Sequence, residues 1–304
     1  MKHNKFVSAV IYIHDNGDGI TDFLQMLYKE LNNNFASFEI ICVNDCSSDN
    51  SVQAIRDFSQ TVSNCVISLV NTGYYQGIEQ VMFAGLDLAI GDFVFEFDEI
   101  TVDYEPNMIM QCYNKCIQGF DIVSCGSGGG RSSSKVFYRI FNRYSETQYN
   151  LYSETFRIIS RRAVNRVSSM SFNPIYRKAL YNSCGFKTIY IQYDKKSASQ
   201  GRRVLKNQYD TALTGLVLFT DVAYRAAAAL TIFMMAAAVG TFSYITVVYI
   251  KGDPAEGYTT IMAFLSVAFF GISAILAIIV KYLSVLVRLV YRRQKYVFES
   301  IEKL

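Results

Sequence analysis

The sequence predicts an α/β fold, a mostly parallel sheet flanked by helices, followed by juxtamembrane helices and a two-helix transmembrane hairpin. Three observations predict it. Strand-like and helix-like segments alternate along residues 1–200, an order that sets successive strands in parallel with helices on both faces. Acidic residues gather where several of those strands end. Two later runs, 226–250 and 257–280, contain no charged residue.

The first strand is the apolar stretch at 6–13, too short and too interrupted by Ser8 to read as a signal peptide. Phe23, Leu24, Leu27 and Leu31 then recur at helical spacing and predict a helix over 20–31. The second strand is "FEIICVND", and the helix after it, 49–62, takes Asp49 or Asn50 as its cap. A third strand at 65–70 and a helix over 77–90 lead to the fourth strand, 92–99. There Phe93, Phe95 and Phe97 alternate with Val94, Glu96 and Asp98, the period of a β-strand.

In such sheets ligands gather outside the carboxyl ends of the strands. Those ends read "HDNGDG", "VNDCSSDN" and "DEITVD". Carboxylates so placed would repel a bare anion. They suit a nucleotide whose base and ribose they hydrogen-bond and whose diphosphate is bridged by a metal.

Each uncharged run extends roughly 36 Å or more as a helix, enough for a hydrocarbon core of about 30 Å. The linker "KGDPAEG" makes the pair a tight hairpin. Lys281, Arg288, Arg292, Arg293 and Lys295 follow the second run, whereas the hairpin tip sets Lys251 beside Asp253 and Glu256. Basic residues stay inside. The expected layout is therefore a cytoplasmic domain over 1–205, an amphipathic juxtamembrane segment over 206–225, the hairpin over 226–280, and a cytoplasmic tail over 281–304. Helical spacing of the tail's apolar residues suits a helix lying on the bilayer surface.

Several classes are excluded. A net charge of +3 with no basic-aromatic tract argues against nucleic acid. The seven cysteines show no CxxC spacing and read as buried thiols of a reducing compartment. With His3 and His14 as the only histidines, no Ser-His or His-metal chemistry is supported. The stretch "GSGGGRSSSK" lacks the Gly-Lys-Ser of a phosphate loop and reads as a loop over the site.

Taken together, "VNDCSSD", "AGLDLAIGDFV", "FYRIFN", "FRIISRR" and the hairpin resemble glycosyltransferase family 2. Within it the chain is similar to the polyprenyl-phosphate glycosyltransferases, which include bactoprenol glucosyltransferases and relatives of dolichol-phosphate mannose synthase. The resemblance implies a GT-A-type fold at the inner (plasma) membrane. It implies inverting transfer of one sugar from a nucleotide-sugar to a polyprenyl phosphate such as undecaprenyl phosphate, with self-association through the spans. It implies donor binding by Tyr12, Asn44, Asp45 and Asp98, and a catalytic role and Mg2+ or Mn2+ binding for Asp98 and Glu99. Acceptor or diphosphate binding falls to Arg131, Arg157, Arg202 and Arg203, while Ser160, Arg161 and Arg162 either match the motif's tail or anchor the next helix. The chain departs from the family pattern at Asn44, Val70, Ile100 and Val102. Those departures leave a second expectation open, a catalytically impaired homologue that binds or scaffolds in polysaccharide assembly.

Overall fold

The computed structural model describes residues 2–128, 132–144, 149–170, 176–195 and 298–303, with single helical positions between 229 and 286. The chain divides into two units, one of Met1–Gly215 with Arg292–Leu304 and one of Leu216–Tyr291. Among the described residues no helix is long and apolar enough to cross a membrane. Apart from those single positions, the expected spans 226–250 and 257–280 lie outside the described residues, as do the segment 206–225 and Arg131, Arg202 and Arg203.

The first unit alternates as the sequence predicts: β1 (His3–Ile13), α1 (Ile20–Asn34), β2 (Phe35–Asn44), α2 (Ser51–Ser59), β3 (Val66–Thr72), α3 (Ile78–Leu88), β4 (Phe93–Phe97), α4 (Asn107–Ile117) and β5 (Ile122–Gly126). It continues through α5 (Ser132–Tyr144), β6 (Phe156–Ser160), α6 (Arg161–Met170), α7 (Arg177–Ser183), β7 (Thr188–Gln192) and β8 (Phe298–Lys303). One eight-stranded sheet results, in the order β7-β5-β6-β4-β1-β2-β3-β8. Strands β4, β1, β2 and β3 are mutually parallel, as are β5 and β7; β6 and β8 run against their neighbours.

Two consequences position the site. The chain winds outward from β1 through β2 to β3, then jumps back to place β4 on the other side of β1. That reversal opens a crevice at the carboxyl ends of β1 and β4. And because β6 and β8 run backwards, their first residues arrive at this same rim.

Both faces of the sheet are buried, as a sheet covered by helices on each side requires. Phe95 and Phe97 pack with Phe23, Leu27 and Tyr113 on one face; Val94, Val10 and Val43 pack with Val81 and Met82 of α3 on the other. Gly85 lets α3 lie close on the sheet, since a Cβ there would stand 2.4 Å from Val10 Cγ1 and 2.7 Å from Val43 Cγ2.

The end of the tail differs from the expected surface helix. Phe298–Lys303 is a strand, paired antiparallel to β3 from Thr72↔Phe298 to Ser68↔Lys303. The open edge of β3 offers unpaired N–H and C=O groups, and satisfying them outweighs the helical spacing of the preceding residues. Arg56 of α2 adds a two-pronged ion pair to Glu302, at 2.7 and 3.1 Å.

Candidate active site

Asp98 is the first residue beyond β4 and sits in the crevice at the strand-order reversal. Its side chain is 16% exposed. One carboxylate oxygen accepts from Arg157 Nη2 at 2.8 Å and the other from Arg177 Nη2 at 2.7 Å. Glu96, two residues back on the same strand face, is fully buried. It accepts from Arg157 Nη1 at 2.6 Å and from the Tyr181 hydroxyl at 2.5 Å, and forms an ion pair with Arg177 Nη1 at 3.1 Å.

The backbone explains the convergence. Arg157 is the second residue of the reversed strand β6 and lies directly opposite Glu96 in register. Arg177 and Tyr181 are four residues apart on α7 and so share one helix face. Glu154 takes the remaining prong of Arg157 at 2.9 Å. Glu79, in the first turn of α3, accepts from both the backbone N–H and Nε of Arg177, each at 2.9 Å.

Burial would pull both guanidinium groups down in pKa, but the carboxylates outweigh it and raise them well above the ordinary value. For Asp98 the signs reverse: burial pushes the carboxyl up, and Arg157, Arg177 and Lys178 together hold it below the usual range. A buried ionic cluster of this kind persists only because each member is paired; an unpaired buried charge would be expelled or neutralised.

The second focus lies at the exits of β1 and β2. Asp45 is fully buried. Its carboxylate accepts the backbone N–H groups of Gln76 at 2.8 Å and Gly77 at 2.9 Å, just before α3, and the Tyr12 hydroxyl at 3.0 Å. A negative charge at a helix N-terminus is favourable in itself. Burial, then the charge of Asp45, raises the Tyr12 hydroxyl far above its ordinary pKa, so it stays a donor. The His14 ring lies 4.8 Å from that of Tyr75, with Nδ1 2.7 Å from the Asp45 carbonyl.

The structure thus brings Tyr12, Asn44 and Asp45 together at one focus and Asp98 with Arg157 at the other. The two exits are separated by β1 alone, about 10 Å at normal strand spacing. Glu99 is half-buried beyond Asp98. Arg157, expected to meet a phosphate, is 2% exposed and committed to three carboxylates. Ser160, Arg161 and Arg162 anchor α6: the Ser160 hydroxyl and Arg162 donate to Asp121, and Arg161 caps the Gly91 carbonyl. Glu79, Glu154, Arg177 and Tyr181 were not singled out by sequence. They come to Asp98 and Glu96 from distant segments with no shared spacing, so no motif in the sequence marks their common target.

A divalent cation, which the resemblance implies, would need open oxygen ligands. Both oxygens of Asp98 are already engaged by arginine. Ile100 and Val102, on the loop that follows, are packed against the core. Among the described residues no group of three or more His, Cys, Asp or Glu side chains converges as a metal set. These residues do not fit a cation held at Asp98.

An α/β sheet with a strand-order reversal places ligands at the carboxyl ends of its strands, and residues 8–184 match Glycosyl transferase family 2. The chain belongs to that family. It is 28% identical over 203 residues to an uncharacterised glycosyltransferase of Synechocystis sp., covering 64% of this chain and 63% of that one, so the match spans less than two-thirds of the relative. It is 24% identical over 277 residues to the bactoprenol glucosyl transferase of Shigella phage SfV, covering 87% of this chain and 88% of that one. In fold it is similar to a mannosyltransferase of Pyrobaculum calidifontis solved with GDP-Man and Mn2+, with a TM-score of 0.50, 15% identity, and coverage of 71% and 63%.

Proposed function

We propose that this chain is a membrane-bound glycosyltransferase that moves one sugar from a nucleotide-sugar to a polyprenyl phosphate, such as undecaprenyl phosphate, with inversion at the cytoplasmic face. The observation that carries the reading is the crevice between β1 and β4, with Asp45 on one side and Asp98 on the other, in a family-2 chain similar to a bactoprenol glucosyl transferase over most of its length. In this reaction a phosphate oxygen of the lipid forms a bond to the anomeric carbon as the bond to the nucleoside diphosphate breaks. The acceptor phosphate is already ionised at neutral pH, so no general base is required. What the site must supply is orientation and a home for the departing charge.

Membrane attachment is supported by the two uncharged runs, and the sheet limits how many spans can lie between β7 and β8. Since β8 lies in the same sheet as β1 to β7, a chain that leaves after β7 and returns at β8 crosses a bilayer an even number of times. Two spans satisfy that.

A second reading is favoured by the state of Asp98: a carboxylate clamped by two buried arginines, followed by apolar Ile100 and Val102, suits an impaired homologue that binds or scaffolds. One experiment separates them. Membranes containing the chain are incubated with labelled nucleotide-sugars and undecaprenyl phosphate, with and without EDTA, against membranes lacking it. A labelled lipid-linked monosaccharide is the expected product. Absence of product across the common donors, with no nucleotide binding by calorimetry in either Mg2+ or Mn2+, would leave the scaffold.

A further inference from the structure

The C-terminal strand does more than close an edge. Asn44 on β2, Asn71 on β3 and Ser300 on β8 stand directly opposite one another in register across three adjacent strands. Their side chains form one head-to-tail chain of hydrogen bonds. The Ser47 backbone N–H donates to Asn44 Oδ1 at 3.1 Å, Asn44 Nδ2 donates to Asn71 Oδ1 at 2.9 Å, and Asn71 Nδ2 donates to Ser300 Oγ at 3.0 Å. Asn44 and Asn71 are buried, so each amide depends on this chain for partners.

The same strand reaches the same loop from its other end. Arg56, which grips Glu302, lies on α2, the helix into which the loop of residues 45–50 runs. Within the loop, Ser47 Oγ accepts the Asp15 N–H at 3.1 Å, and Asp15 in turn accepts from the Ser48 N–H at 2.8 Å. The exit of β2 is therefore braced from β8 on both sides and passes that restraint to the exit of β1.

We propose that Ser300, Asn71 and Asn44 are positioning residues for the rim loop 45–50, so that the strand returning from residues beyond 215 sets the conformation of the nucleotide side of the site. Asn44 then acts through Ser47 and not by touching a ligand. The ligand named here rests on the function proposed above; the bracing of the loop does not.

Ser300→Ala removes the terminal acceptor and leaves the backbone pairing intact, while Ser300→Thr keeps it. In the full chain, Ser300→Ala is expected to speed hydrogen exchange at the amides of Ser47 and Ser48 by about fivefold, the equivalent of one neutral hydrogen bond. The melting temperature should fall by only about 2–4 °C, the equivalent of that one bond, and Ser300→Thr should restore wild-type exchange. Binding of UDP or GDP by calorimetry should weaken by a similar factor in Ser300→Ala alone. Unchanged exchange in the loop, or a uniform increase over the whole sheet, would overturn the proposal. A wild-type chain that binds neither nucleotide would count against the proposed function, while the exchange data would still decide the relay.

Discussion

The carboxylate of Asp98 and the guanidinium of Arg177, 79 positions apart in sequence, meet in a 2.7 Å charge-assisted hydrogen bond at the rim of the sheet. Around them Glu79, Glu96 and Glu154 complete a buried network with Arg157, and Lys178 adds its charge nearby. Such bonds are roughly twice as strong as neutral ones, and they fix geometry as well as charge. The rim at β4 is thus a rigid, preformed surface.

Removing one arginine should be costly. Arg177→Met leaves Glu79, Glu96 and Asp98 short of a partner, and is expected to destabilise the fold by about 3–5 kcal/mol. Arg177→Lys keeps the charge but loses the planar fork, so it should fall between. Urea unfolding of the three proteins measures this. Equal midpoints would mean the cluster contributes nothing to stability.

The acid side of the stability profile should carry the signature of Asp98. Its folded pKa lies below the ordinary value, so the unfolded chain takes up the proton first as pH falls. The contribution is complete above about pH 5 and fades as pH drops through and below about 4. Asp98→Asn cannot titrate there, and its unfolding midpoint should decline less steeply over that window than the wild type's. Parallel declines would show that another group governs acid unfolding.

Gly85 should resist enlargement. Gly85→Ala favours the helix by about 1 kcal/mol in propensity. It also drives a methyl to 2.4 Å from Val10 Cγ1, an overpacking expected to cost about 1–3 kcal/mol. A lowered melting temperature is the expected result. A rise would mean that α3 can lift off the sheet without penalty.

Much of this fold was legible in the sequence because each early element has a clean period. The alternation at 93–97 gave β4, and the Phe23-Leu24-Leu27-Leu31 spacing gave α1. Asp45 and Asp98 were found because both follow strands directly, where backbone geometry alone sends them to the rim. Arg177, the second arginine on Asp98, was not, since nothing in "YRKAL" distinguishes a buried arginine from a solvated one. The neighbours of Asn44 were not legible either, because only the register of β2 against β3 and β8 brings Asn71 and Ser300 into line with it. The end of the tail turned out to be a strand because helical spacing earlier in it says nothing about the vacant side of β3.

The attachment of β8 also orders events during synthesis. The sheet cannot be finished at β3 until residues 298–303 have left the ribosome, long after β7 has emerged. Until then Asn71 lacks its hydroxyl acceptor and Arg56 its carboxylate. The nascent domain should therefore reach its final form only after the residues between β7 and β8 have been made, which ties maturation of the rim to completion of the part of the chain that follows it.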